Sequence, residues 1–97
     1  MTDKEVNEIV VQNIKLLRKF LGITQKQMAG VLGMKSETTY RMKELSRRLF
    51  SISEVIKAYN YFTSNVPNFN ITLQEFMTVG YTITTSTPTI TPTETAK

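Results

Sequence analysis

Five of the twelve Lys and Arg residues stand between positions 35 and 48: Lys35, Arg41, Lys43, Arg47 and Arg48. Such a cluster can bind anions. Arginine presents a planar fork of donors that matches phosphate or the O6/N7 edge of guanine, and lysine presents a compact point charge. The surrounding stretch, SETTYRMKELSRR, holds no Gly or Pro and reads as a helix. Charge elsewhere is nearly balanced. Residues 1–20 carry four basic residues against three acids, residues 21–50 six against two, and residues 51–97 two against three, which gives +1, +4 and −1 of the net +4. An even spread would serve solubility, whereas a single basic block points to a polyanionic partner.

Other chemistries find few groups to use. The chain has no Cys and no His, which leaves no zinc site of the usual ligand types and removes the commonest general base. Ser36–Glu37 and Ser53–Glu54 are neighbours at helix starts, where Ser and Glu act as caps, and there is no Gly-rich loop to cradle a phosphate. A non-enzyme with no cofactor and no metal is expected. No apolar run nears the roughly 18 residues of a membrane span. The start MTDKEVNEIV carries acids and lacks an apolar signal region. The expectation is a cytoplasmic protein with no membrane partner.

The elements that position the basic block follow from apolar spacing. With 97 residues, 40% of them apolar, there is material for one small core. Val6, Val10, Ile14, Leu17 and Leu21 recur at helical spacing, and Gly22 supplies a stop. Thr24 and Gln27 have capping-box spacing and open a second helix through Met28, Ala29, Val31 and Leu32 to Gly33. A third helix over about residues 36–48 carries Thr38, Met42, Leu45 and Leu49 on its inner side, with Thr39 at the edge. Ser51 and Glu54 start a fourth helix, with Val55, Ile56, Tyr59 and Phe62 inward. TSNVPNFN reads as a loop, and Thr72 with Glu75 starts a fifth helix through Leu73, Phe76 and Met77. The predicted fold is all-α, a five-helix domain over residues 1–79. Residues 80–97 hold eight Thr and two Pro and predict a mostly disordered tail, because little apolar surface offsets the ordering entropy. The exception is a short strand within 79–85, where Tyr81 and Ile83 alternate.

Helices two and three are separated only by GMK, which is helix-turn-helix spacing. At this point IKLLRKFLGITQKQMAGVLGMKSETTYRM resembles the Cro and phage-repressor type, or lambda-repressor-like, helix-turn-helix family. Leu17 and Arg18 match its Leu-Arg helix, Gly22, Ile23, Thr24 and Gln25 its Gly-Leu-Thr-Gln, and Met28 and Ala29 its apolar-Ala pair. Leu32, Gly33 and Met34 match its Leu-Gly-Val, and Met42 its inward recognition-helix position. The likeness covers residues 6–78.

The resemblance implies a five-helix fold whose third helix enters the major groove of double-stranded DNA. By position, Ser36, Glu37, Tyr40 and Arg41 would meet base edges. Thr24, Gln25, Lys26, Lys35, Lys43, Arg47 and Arg48 would meet phosphates, which set affinity and register but not sequence. Four positions depart from the family pattern. Thr39 stands where an aliphatic residue is usual, with Thr38 as the neighbour that could share its place. Lys35 stands where Ser or Thr caps the third helix, with Ser36 as the alternative cap, which would take it from base contact. Lys43 stands where an acid pairs with the first-helix Arg, with Glu44 next door as the alternative acid. No glycine turn follows, which predicts a long third helix.

The expected function is a sequence-specific DNA-binding transcriptional regulator, a repressor or autoregulator, that binds a pseudo-palindrome as a homodimer. Phe69, Phe76, Met77, Tyr81 and Ile83 exceed what one small core is expected to bury, which places the dimer surface on helix five with residues 66–83. The alternative is a helix-turn-helix scaffold acting through a protein partner, of the antitoxin or nuclease-inhibitor type.

Overall fold

The computed structural model describes residues 1–84 and 89–92. Among these lie five helices, α1 (Asp3–Leu21), α2 (Gln25–Val31), α3 (Glu37–Glu44), α4 (Ile52–Asn65) and α5 (Leu73–Thr78). An antiparallel hairpin follows, β1 (Tyr81–Thr84) and β2 (Thr89–Pro92), with Ile83 opposite Ile90. No helix among the described residues is long and apolar enough to cross a membrane.

Sequence-local chemistry sets most of the helix starts. Capping boxes open α1, α2, α4 and α5 at Thr2/Glu5, Thr24/Gln27, Ser51/Glu54 and Thr72/Glu75. In each, the hydroxyl accepts a backbone N–H three residues on, and the Glu or Gln accepts the N–H of the cap. The box at Thr2 starts α1 before Val6, the first residue of its apolar series.

The ends of α1, α2 and α3 share one device. Gly22 (φ 71°), Gly33 (φ 76°) and Ser46 (φ 62°) each take the left-handed conformation. The next residue donates its N–H back into the helix: Ile23 to the Arg18 carbonyl at 3.2 Å, Met34 to Ala29 at 2.9 Å and Arg47 to Met42 at 2.9 Å. The third helix therefore stops at Glu44 and does not run on to residue 48. Ser46 does there what glycine does at the other two ends. A side chain in this conformation costs roughly 1–2 kcal/mol. Allowing for the greater freedom of glycine in the unfolded chain, Ser46→Gly should stabilise the fold by about 0.5–1 kcal/mol. The check is a higher urea midpoint at unchanged slope.

The core gathers around α1, which packs against α3, α4, α5 and β1. Val10, Ile14 and Leu17 from α1 meet Met28, Ala29 and Leu32 around α2, Val55, Ala58 and Phe62 from α4, and Phe76 from α5. Tyr59 adds edge contacts to Phe69 and Phe76 at 5.7 and 5.8 Å, and its hydroxyl donates to the Ile71 carbonyl at 2.6 Å. Two expectations about this core are corrected. Tyr40 is the inward aromatic of α3, while Leu45, Leu49 and Ile56, expected inside, are 56%, 55% and 39% exposed. Phe76 and Tyr81 are buried, and Phe69, Met77 and Ile83, half-buried, pack against the core.

The tail expectation is corrected over the two strands. The short strand expected within 79–85 lies at Tyr81–Thr84, and it pairs with Thr89–Pro92 where disorder was expected. Residues 85–88 and 93–97 lie outside the described residues. A buried asparagine accounts for the fixed end of this hairpin. Asn13 Nδ2 donates to the Phe76 and Val79 carbonyls at 2.9 and 2.8 Å, and its Oδ1 accepts the Tyr81 N–H at 3.1 Å. Asn7 has a similar role nearer the start of α1, where its Oδ1 accepts the Phe50 N–H at 3.0 Å.

Candidate nucleic-acid interface

Residues 32–36 join α2 to α3, and the two helices pack on each other. Ser36 caps α3, its hydroxyl accepting the Thr39 N–H at 3.3 Å. The cap is one place later than the resemblance set it, and the register of the whole helix moves with it. Tyr40 takes the inward place expected at residue 39, and Glu44 takes the acid's place expected at residue 43. Tyr40, fully buried, is therefore removed from the base-contacting set. The Ser36 oxygen is engaged as the cap of its own helix, on a residue that is itself exposed. Thr38 is exposed and Thr39 is half-buried at the edge.

A buried polar cluster lies behind α3. Arg18 Nε donates to Glu44 Oε2 at 2.8 Å, Nη2 to Oε1 at 3.2 Å, and Nη1 to the Ile23 carbonyl at 3.0 Å. Gln25 Nε2 donates to Glu44 Oε1 at 2.8 Å, and the Tyr40 hydroxyl donates to Oε2. Burial alone would raise the Glu44 carboxyl, but hydrogen bonds from Arg18, Tyr40 and Gln25 and the Arg18 charge hold it below the usual carboxylate range. Burial pushes the Tyr40 hydroxyl far up, and the neighbouring carboxylate pushes it further. Burial opposes the charge on Arg18, yet Glu44 outweighs that and raises it. Near neutral pH the cluster is thus an ion pair with neutral donors around it, and it ties together α1, α2 and α3.

Lys43 is withdrawn from the phosphate set. Its Nζ donates to both oxygens of Glu54, at 2.7 and 2.9 Å, and its side chain is only 14% exposed. Burial raises Glu54, but the Lys43 contact and the Ser51 N–H bring it below the ordinary range. This pair fastens the end of α3 to the start of α4.

What α3 turns to solvent is short and polar: Thr38 and Arg41, with Glu37 half-buried beside them. Arg41 Nη2 donates to Glu37 Oε2 at 2.9 Å, and its Nε donates to Gln25 Oε1 at 3.4 Å. Lys26, Lys35, Arg47 and Arg48 are exposed and form no ion pair among the described residues. Thr24 is exposed, with its hydroxyl accepting the Gln27 N–H at 3.0 Å. Of the expected set, the structure brings Thr24, Gln25, Glu37 and Arg41 close together, leaves Lys26, Lys35, Arg47 and Arg48 at the surface, and turns Ser36, Tyr40 and Lys43 to structural work.

No family model, no curated protein and no solved structure matches this chain. The geometry of its own residues carries the functional reading. That geometry adds two features absent from the sequence-based set. Lys57 of α4 brings its ammonium to the α2–α3 turn, where a side chain at Gly33 would come within 3.3 Å of it. Its place between helical neighbours gives no signal of this. Leu45, Leu49 and Ile52 form an exposed aliphatic run around the α3–α4 junction, at 56%, 55% and 59%. Leu49 and Ile52 also border a groove of about 360 Å³ shared with Val6, Val10 and Met77. Helical spacing puts Leu45 and Leu49 inside only if the third helix runs uninterrupted, and it does not.

Proposed function

We propose that this chain is a sequence-specific DNA-binding transcriptional regulator, a repressor or autoregulator, built on the lambda-repressor-like helix-turn-helix fold that its sequence resembles. One observation carries the proposal. The outward side of α3 offers polar readers, Thr38 and Arg41 beside Glu37, flanked by Lys26, Lys35, Arg47 and Arg48, which form no ion pair among the described residues. A major groove about 12 Å wide admits one helix, and its base edges demand hydrogen-bonding side chains. The flanking cations then serve the phosphates.

Selection of bound DNA from a random pool tests this. With four such cations, log K should fall against log salt with a slope of about −3 to −4 per monomer. Arg41→Ala should lose about 1–3 kcal/mol on the selected site and blur one base-pair position. Arg47→Ala should weaken all sequences alike and reduce the slope by about 1. An Arg41→Ala protein that selects the wild-type motif would show that the wrong face of α3 has been assigned.

The exposed aliphatic run supports a protein contact as well, and its proposed occupant is a second copy of the chain. Two copies would read half-sites about 34 Å apart. Ile52→Glu should then give monomers by light scattering and lose the palindromic preference. The other reading, a scaffold acting on a different protein, is favoured if the wild-type chain is a monomer that gives no salt-sensitive DNA shift.

A further inference from the structure

We propose that Gln25 and Glu37 clamp Arg41 as a reader of guanine, so that one base-pair position depends on Gln25, a residue that touches no base. The inference rests on the DNA-binding proposal, and it replaces the expected role of Gln25 as a phosphate contact with a positioning role.

Glu44 is 3% exposed and, being ionised, can only accept hydrogen bonds. Its Oε1 takes one from Gln25 at 2.8 Å. The amide group of Gln25 must therefore turn its NH2 inward, which fixes its carbonyl oxygen outward. That oxygen meets Arg41 Nε at 3.4 Å. Beside it Glu37 Oε2 takes Arg41 Nη2 at 2.9 Å. The Nε and Nη2 edge of the guanidinium is thus tied to the protein at two points, one of them a group fixed from inside the core. Arg41 Nη1 has no acceptor among the described residues.

The chemistry left over selects a base. The two protein contacts leave the end of the fork, at Nη1 and the remaining Nη2 hydrogen, to face outward from a side chain that is 49% exposed. Two parallel donors fit the two acceptors of guanine, O6 and N7. Adenine presents N7 beside an amino donor, which opposes one of the two N–H groups. An unclamped arginine would lose rotamer freedom on binding and would settle as readily on a phosphate. The clamp orders it beforehand, so less freedom is lost at the moment of recognition. Lysine, a point charge with rotating donors, could not take this role.

Two measurements test the clamp. The first is selection from a random DNA pool, in which the wild-type motif should contain a guanine whose preference disappears in Arg41→Ala. Gln25→Ala should reduce preference for that same guanine about tenfold, within the range for a good bidentate contact, and spare the other positions and the salt slope. Glu37→Gln should reduce it less. A uniform loss on all sequences in Gln25→Ala, with a shallower salt slope, would restore Gln25 as a phosphate contact and overturn the clamp. So would an unchanged guanine preference. The second needs no DNA: in the free protein the Arg41 Nε–H signal should be sharp and slow to exchange, and in Gln25→Ala it should come to resemble those of Arg47 and Arg48. A wild-type Arg41 signal already as fast as theirs overturns the clamp whatever the DNA result. A wild-type protein that selects no sequence sinks the DNA-binding proposal and the guanine assignment together, while the exchange result still decides whether the clamp exists.

Discussion

Replacing Glu44 by Gln is expected to destabilise the fold by about 3–5 kcal/mol. That is a large fraction of the roughly 5–15 kcal/mol that holds a typical domain together. The cost comes from what remains. Arg18, nine-tenths buried, would keep its charge with only the Ile23 carbonyl and a neutral amide as acceptors. Tyr40 and Gln25 would also lose their charged acceptor. The paired variant Arg18→Met with Glu44→Leu should recover much of the loss, because apolar replacements of a buried ion pair are often neutral or better. Recovery would locate the cost in the unpaired charge; persistence of the full loss would locate it in packing.

The same group predicts an acid dependence. Glu44 is held below the ordinary carboxylate range in the fold, as is Glu54. An acid whose folded value is lowered gives stability that is complete above the unfolded value and disappears as pH falls through the folded one. Urea unfolding at about pH 7 and about pH 3 should therefore show the wild-type advantage over Glu44→Gln shrinking on the acid side. An equal gap at both pH values would mean that the carboxylate charge is not its source.

Asn13→Leu is the second large effect, an expected loss of about 2–4 kcal/mol, built from the cost of unpartnered buried polar groups. The substitution fits the apolar face of α1, and sequence pattern alone would rate it harmless. In the fold it strips partners from the Phe76 and Val79 carbonyls and the Tyr81 N–H. Buried polar groups left without a partner cost about 1–3 kcal/mol each, reduced where water reaches them. The Tyr81 amide should exchange much faster in the variant, since the hairpin loses its attachment to α1. Unchanged exchange at Tyr81 with a large stability loss would mean that the damage lies in α1 packing.

Capping boxes at Thr24, Ser51 and Thr72 are local, and the helix starts are legible from them. The stop at Gly22 is legible for the same reason, because glycine takes the left-handed conformation cheaply. Ser46 takes that conformation without the cheapness, so nothing in ELSRRL announces the end of α3. From that follows the misplacing of Leu45 and Leu49, while Tyr40 falls on the outer face only in the family register, which puts Lys35 and not the alternative Ser36 at the cap. Asn7 and Asn13 read as polar spacers because their partners lie 43 to 68 residues away.

The sequence by itself determined that the chain folds mainly into helices, where most of them begin, and that positive charge gathers between residues 21 and 50. Spacing, capping and charge count are properties of near neighbours along the chain, so they can be read without a fold. Only the tertiary structure decided that Lys43 is paired, which tyrosine is core, and that Gln25 lies between Glu44 and Arg41. Each of those depends on a one-residue register in α3. A helix turns about 100° per residue, so that single step separates a side chain that faces solvent from one that closes the core.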